Sequence, residues 1–329
     1  MWNQTRFFFF DPFPFPSSPL TRHPLFPSPG LPPAFPSNLT DVDHSLPDLD
    51  NMLRTSLVQE IGSRQSLTLA ELRAAFAFVR ILALYFPGSS RTKCFLQHLY
   101  SRCTDLMKTL EAMPPTDSSP TFSLSREDWV QLLRSDSPKT CILPPQRDWV
   151  RCRGSEPRYR GYPCSVWTVF HAMTVAAAAP AQGAGRGLEV LEAMVGYVKH
   201  FFGCRHCAVH FVGMYDKFSF NVSTNDDAVL WLWQAHNQVN WRIRHDISAD
   251  PQAPKIQFPS AEMCQDCRDN DGGVWRQDRV LSFLKDYYSF SDITNSGVSM
   301  TENVFVFGLL PSIFTAVSLI RYDLIRLSF

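Results

Sequence analysis

The stretch Phe201-Phe202-Gly203-Cys204-Arg205-His206-Cys207, continued by His210 and Phe211, decides how this chain is read. A Cys-x-x-Cys pair at a helix start sets its first sulfur against backbone N–H groups that no intrahelical carbonyl satisfies, and the positive end of the helix favours thiolate. That is the setting of a redox-active disulfide on a buried helix. A second pair, Cys264-x-x-Cys267, follows after a gap of 56 residues, so the four sulfurs could also close a tetrahedral zinc site. Compact zinc modules keep their half-sites closer, and this gap holds an aromatic helix that needs its own core.

That helix, Ala228 to Arg242, carries two stripes at helical spacing. Val229, Leu232, His236, Val239 and Ile243 form a packing face. Beside it lie Trp233, Asn237, Asn240 and Arg244, an aromatic followed by amides able to donate and accept hydrogen bonds. Taken alone this is a core helix with a polar edge; the neighbouring segments make it a face suited to a heterocycle. A third helix, opened by Pro163 at its first position, places Trp167, His171 and Thr174 together, an aromatic wall with a hydrogen-bonding imidazole.

With these helices in view the sequence resembles the FAD-binding Erv/ALR domain of sulfhydryl oxidases, and within that group the quiescin-sulfhydryl oxidases. The resemblance rests on Gly154-Ser-Glu-Pro157, Arg160-Gly-Tyr-Pro-Cys164-Ser-Val-Trp167 with His171, Tyr197-Val-Lys-His-Phe-Phe-Gly-Cys204, the Trp-Leu-Trp and His-Asn-x-x-Asn helix, Asp250-Pro-Gln-Ala-Pro-Lys255, and Cys264-x-x-Cys267. It covers about residues 150 to 290.

The resemblance implies a flavin-dependent thiol oxidase: a dithiol gives two electrons to the Cys204–Cys207 pair, FAD receives them, and oxygen is reduced to hydrogen peroxide. Cys204 is expected to exchange with the incoming thiol, and Cys207 to lie against the isoalloxazine and form the charge-transfer thiolate. The family's cofactor positions fall on Arg160, Trp167, His171, His206, His210, Trp233, His236, Asn237, Val239, Asn240, Lys255 and Phe258, with Arg160 and Lys255 near the phosphates. His206 stands where the family carries an acidic residue, and as a cationic imidazole it would favour thiolate. Phe258 stands where tryptophan is usual and is still expected to stack. The resemblance also implies a structural disulfide between Cys152 and Cys164. Cys264 and Cys267 are read as a local disulfide, and no metal is expected.

Cys94, Cys103 and Cys141 remain of the nine cysteines. If residues 93 to 111 form one helix, Cys94 and Cys103 lie about 13 Å apart along its axis and cannot bridge each other. The expectation is three thiols without a role, packed as small hydrophobes.

Upstream, Thr68 and Glu71 form a capping box for a helix bearing Leu69, Leu72, Phe76, Val79, Ala83 and Phe86, stopped by Pro87-Gly88. With the 93 to 111 helix this makes a helical module, residues 49–150, that resembles the cofactor-free pseudo-Erv module of the family and holds no motif for chemistry. Residues 1–48, rich in Pro and Phe, are expected not to join a core. Four phenylalanines before Asp11-Pro12 make a poor secretory signal. The catalytic part, residues 151–290, is expected to be a four-helix bundle with a short fifth helix around Val280 to Tyr287, so the fold class is all-α. Gly183-Ala-Gly185-Arg-Gly187 lacks the offset of a phosphate loop and follows an alanine run, so it reads as a loop between helices.

A zero formal net charge gives no footprint for nucleic acid, and the cysteine count points to an oxidising compartment: the secretory pathway, Golgi or ER lumen, or the extracellular space. Residues 291–329 form a tail in which Val304 to Ile320, seventeen uncharged residues, is a candidate single-pass membrane anchor at the short limit for a span. Sequons at Asn3, Asn38 and Asn221 permit glycosylation. No Cys-x-x-Cys precedes Cys204, so protein substrates are expected to deliver electrons through a separate thioredoxin-like donor, while small dithiols react directly. Two other readings stand beside the oxidase: a flavin domain that has lost turnover, and a zinc-stabilised interaction module.

Overall fold

The computed structural model describes residues 42–112, 123–134, 141–219, 222–269 and 273–290. Helix α1, Val42–Arg54, runs into a π-helical turn, Thr55–Ile61. The expected boundary at residue 48 is therefore misplaced. Pro47 lies inside this helix, where its missing N–H forgoes one backbone hydrogen bond, and Leu49, Met52 and Leu53 go straight into the core. Asp48 is buried, accepting from the backbone N–H of Val150 at 2.7 Å and of Cys152 at 2.8 Å.

Helix α2, Leu69–Tyr85, starts at the expected capping box: Glu71 N–H donates to Thr68 Oγ1 at 3.3 Å and Thr68 N–H to Glu71 Oε2 at 2.9 Å. Ser89 caps α3, Ser90–Glu111, and Ser125 caps α4, Arg126–Leu133. A small antiparallel ladder joins β1, Ser66–Thr68, to β2, Ser123–Ser125, with Leu67 opposite Leu124. Then come α5, Gly161–Ala177, α6, Arg186–Phe201, α7, Arg205–Phe218, and α8, Asn225–Ile243, closed by α9, Gln277–Tyr287. These last five are the expected four-helix bundle and short fifth helix. Gly183 and Gly185, both at φ +78°, turn the chain into α6.

The two expected modules share one core. Phe78 of α2 stacks on Tyr197 of α6 at 4.0 Å, and Ser56 Oγ lies 2.8 Å from Tyr162 OH of α5. The described residues accordingly fall into one compact unit. A second apolar cluster, including Val229, Trp233, Cys267, Val280 and Leu284, seats α9 on the end of α8.

Helix α5 opens two residues before Pro163. Arg160 takes φ +60° and Gly161 φ +46°, a reversal stapled by the Cys152–Cys164 disulfide and by Gly161 N–H donating to the Cys152 carbonyl at 2.8 Å. Cys264–Cys267 is also closed. The expectation of three idle thiols is corrected: Cys94 bridges Cys141 across 47 residues, and only Cys103 stays free among the described cysteines. That partner comes from a loop whose path no helical stripe reports. No helix among the described residues is long and apolar enough to cross a membrane. The tail with its candidate anchor, most of the first 48 residues and the three sequons lie outside the described residues.

Candidate active site

The redox pair caps α7. Cys204 is the N-cap residue, and its Sγ accepts from the Cys207 N–H at 3.3 Å, as the end of a helix invites. The two sulfurs form a closed disulfide. Cys204 is exposed and Cys207 half-buried, so an external thiol meets Cys204 first. The helix itself is not the buried element expected, since of its residues only Ala208 and Phe211 are fully covered.

Phe211, one turn beyond Cys207, sets its edge against Trp167 of α5 at 5.9 Å. Trp167 lies flat on His236 of α8, centroids 4.0 Å apart and planes 3° apart. His236 Nδ1 and His171 Nε2 are 3.1 Å apart, and His171 stacks in turn on Tyr288 at 4.7 Å. Burial pushes the His171 pKa down to about 3, and burial with His171 and Lys255 nearby drives His236 well down. Both rings are therefore neutral near pH 7. Buried His171 Nδ1 has no hydrogen-bond partner, the signature of a group awaiting one. His236, placed by periodicity on the packing stripe, belongs to this ring stack instead.

The amides of α8 are turned to the protein. Trp233 Nε1 and Asn237 Nδ2 donate to the Phe258 carbonyl at 2.6 and 2.8 Å, Phe258 N–H donates to Asn237 Oδ1 at 2.8 Å, and Asn240 Nδ2 donates to the Ile256 carbonyl at 3.0 Å. These side chains clamp the segment carrying Lys255 and Phe258 rather than offering a free polar face. Val239 stays half-buried beside them. The Phe258 ring lies among Phe283, Tyr287 and Tyr288 of the α9 end.

Arg160 and Lys255 face one another electrostatically. Burial, then the Arg160 charge, pulls the Lys255 pKa down, with Asp250 opposing. Asp250 is already engaged by Ser155 Oγ at 2.6 Å and the backbone N–H groups of Ser155 and Gln252, both at 2.9 Å. Arg160 Nη2 donates to the Arg151 carbonyl at 2.9 Å, while its buried Nε has no partner. Two cations with one committed carboxylate make a place for an anion.

Above the disulfide, His206 is exposed and His210 half-buried, their Nε2 atoms 3.0 Å apart. Burial, Arg242 and His206 together lower the His210 pKa. Sequence reasoning missed Tyr288; the Tyr287-Tyr288 pair ending the last helix was its only trace.

Residues 164–259 match a family model described as the Erv1 / Alr family, and residues 44–155 match one described as flavin adenine dinucleotide (FAD)-dependent sulfhydryl oxidase. Sulfhydryl oxidase 1 of Gallus gallus is 40% identical over 248 residues, 75% of this chain and 32% of the relative. Sulfhydryl oxidase 2 of Homo sapiens is 35% identical over 258 residues, 76% and 35%. A solved sulfhydryl oxidase fragment of human QSOX1 superposes with a TM-score of 0.64 at 36% identity, covering 75% of this chain and 95% of the fragment.

This chain belongs to the sulfhydryl oxidase family. It spans about a third of the length of the curated relatives it matches. The helical architecture agrees with the family fold, and the match over residues 44–155 brings the upstream module into the family as well. Both Cys-x-x-Cys pairs are closed disulfides within themselves, so the four sulfurs do not gather at a metal, against the zinc reading.

Proposed function

We propose that this chain is an FAD-dependent thiol oxidase that forms disulfides and reduces oxygen to hydrogen peroxide. The observation that carries it is an exposed helix-capping disulfide leading, through Phe211, to a wall of neutral aromatic rings with an unpartnered buried imidazole nitrogen. These residues fit FAD: Trp167 and His236 offer flat surfaces, His171 Nδ1 a hydrogen-bonding atom, and Arg160 with Lys255 the positive charge for a pyrophosphate. When bound, the flavin accepts two electrons at once and passes them to oxygen, chemistry that no side chain here supplies.

The chain's own residues do the rest. Cys204, exposed, is attacked by the incoming thiol; Cys207 leaves as a thiolate stabilised at the start of α7. A second thiol resolves the mixed disulfide and frees Cys204. Trp167, His171, His236, His206 and His210 hold the cofactor ring side, the α8 amides fix the segment carrying Lys255 and Phe258, and α9 shields the wall from water. The substrates in this reading are dithiols, either small or on a thioredoxin-like electron donor, and the setting is the oxidising secretory pathway, with residues 304–320 as a candidate anchor.

A visible spectrum in air, before and after dithiothreitol, with peroxide followed alongside, tests the proposal. A flavin band that bleaches and recovers while peroxide accumulates is expected. A colourless protein overturns it, and a yellow protein without peroxide leaves only the non-catalytic flavin domain.

A further inference from the structure

Glu60 belongs to the module in which the sequence shows no chemistry, yet the fold lays it against the redox loop. It sits on the π-helical turn Thr55–Ile61, a geometry that is rare and recurs at functional sites. Its carboxylate reaches Gly203, the residue before Cys204: a Cβ built there would lie 3.2 Å from Oε1 and 3.4 Å from Oε2. Glycine thus keeps the approach open. Four residues on, Arg64 donates to the His200 carbonyl, so the same module grips the loop at its other end. Ser56 Oγ lies 2.8 Å from Tyr162 OH, which pairs in turn with Tyr197 OH, and the Glu60 charge raises both phenols further.

We propose that Glu60 is the catalytic base that takes the proton of the thiol attacking Cys204; the proposal rests on the thiol-exchange step above. The attacking S–H bond breaks and its proton goes to the Glu60 carboxylate. A bond forms between the incoming sulfur and Cys204 Sγ, the Cys204–Cys207 bond breaks, and Cys207 keeps the electron pair as thiolate. Charge and electrons balance without another reactant. The half-buried carboxyl suits the task, since burial raises its pKa against the pull of the Gly203 backbone and Arg64. The other titratable groups coupled to it are Tyr162 of α5 and Tyr197 of α6.

The test is the rate at which dithiothreitol reduces the Cys204–Cys207 disulfide, trapped by alkylation and read by mass spectrometry in the absence of oxygen, across pH 5 to 10. For Glu60→Gln we expect a rate about tenfold lower near pH 6 to 7, where the reagent is a thiol, converging with the unaltered protein near pH 10, where it is largely thiolate. A loss by the same factor at every pH would reveal a merely structural role and overturn the proposal, as would an unaltered profile. Should Glu60→Gln not fold, Glu60→Asp carries the test: a displaced acid limb supports the base, an unmoved one overturns it. The readout needs no flavin, so an absence of peroxide would sink the oxidase and leave Glu60 standing.

Discussion

Cys204 and Cys207 have unequal exposures, and unequal exposures assign unequal work. Cys207→Ala should attack an added small disulfide to give a stable mixed disulfide at exposed Cys204, releasing one thiol, whereas the half-buried Cys207 left by Cys204→Ala should do so far more slowly. Both variants should lose peroxide production; mass spectrometry after treatment with that disulfide separates them, and equal adducts on both would undo the assignment. His171 carries a second prediction. Its pKa is pushed down to about 3 by burial, whereas an unfolded imidazole titrates near 6.5. Between those values the unfolded chain binds a proton that the folded chain refuses, so this contribution is complete above pH 6.5 and lost as pH falls, by up to about 1.4 kcal/mol per unit. Denaturant unfolding at pH 7.5, 6 and 5 should show that decline, and His171→Gln should flatten it by about one proton. An unchanged slope would mean that the folded protein accepts the proton. At this scale the sequence was informative about identity and less so about orientation. Trp167 and His171 were placed together by helical spacing, but which ring covers His236 depends on two other helices, and no spacing reports that.

Caps and stripes were legible because they are local: Thr68 with Glu71 and the α2 stripe through Leu72, Phe76 and Val79 appear as read. The polar edge of α8 was legible as an edge and misread in purpose. Its amides are satisfied by backbone about twenty residues ahead, and an amide's partner leaves no periodic mark. The same holds for Cys94, whose partner Cys141 is non-local. Two of the disulfides now allow a comparison. Chain entropy assigns about 4 kcal/mol to the 47-residue closure and about 3 kcal/mol to the 12-residue Cys152–Cys164 closure. Replacing Cys94 and Cys141 by alanine should therefore cost more stability in denaturant while leaving a bound flavin in place. Replacing Cys152 and Cys164 should cost less yet release the cofactor, because that bridge holds the reversal at Arg160 and with it the cationic end of the site. Equal cofactor retention in both would show that the staple serves stability alone.

Across the whole molecule, an amphipathic stripe announces that a helix has a partner but not which partner, and so residues 49–150 and 151–290 were read as two modules with no contact between them named. The structure joins them. Phe78 is fully buried between Tyr197 and Phe170, its ring stacked on one at 4.0 Å and edge-on to the other at 6.4 Å, and Asp48 pins α1 to the loop before α5. Removing α1 to α4 would leave Tyr197 and Phe170 facing water and release Glu60 and Arg64 from the redox loop. Residues 151–290 expressed alone should therefore fail to give near-ultraviolet dichroism or to retain flavin, whereas residues 42–290 should do both. In the full chain Phe78→Ala should cost about 3–5 kcal/mol, the range for deleting a buried aromatic ring, and should slow reduction of Cys204–Cys207 without touching either sulfur. If residues 151–290 instead fold and bind flavin unaided, the shared core is only a covering, and two modules that each fold alone are the better description of how this protein is built.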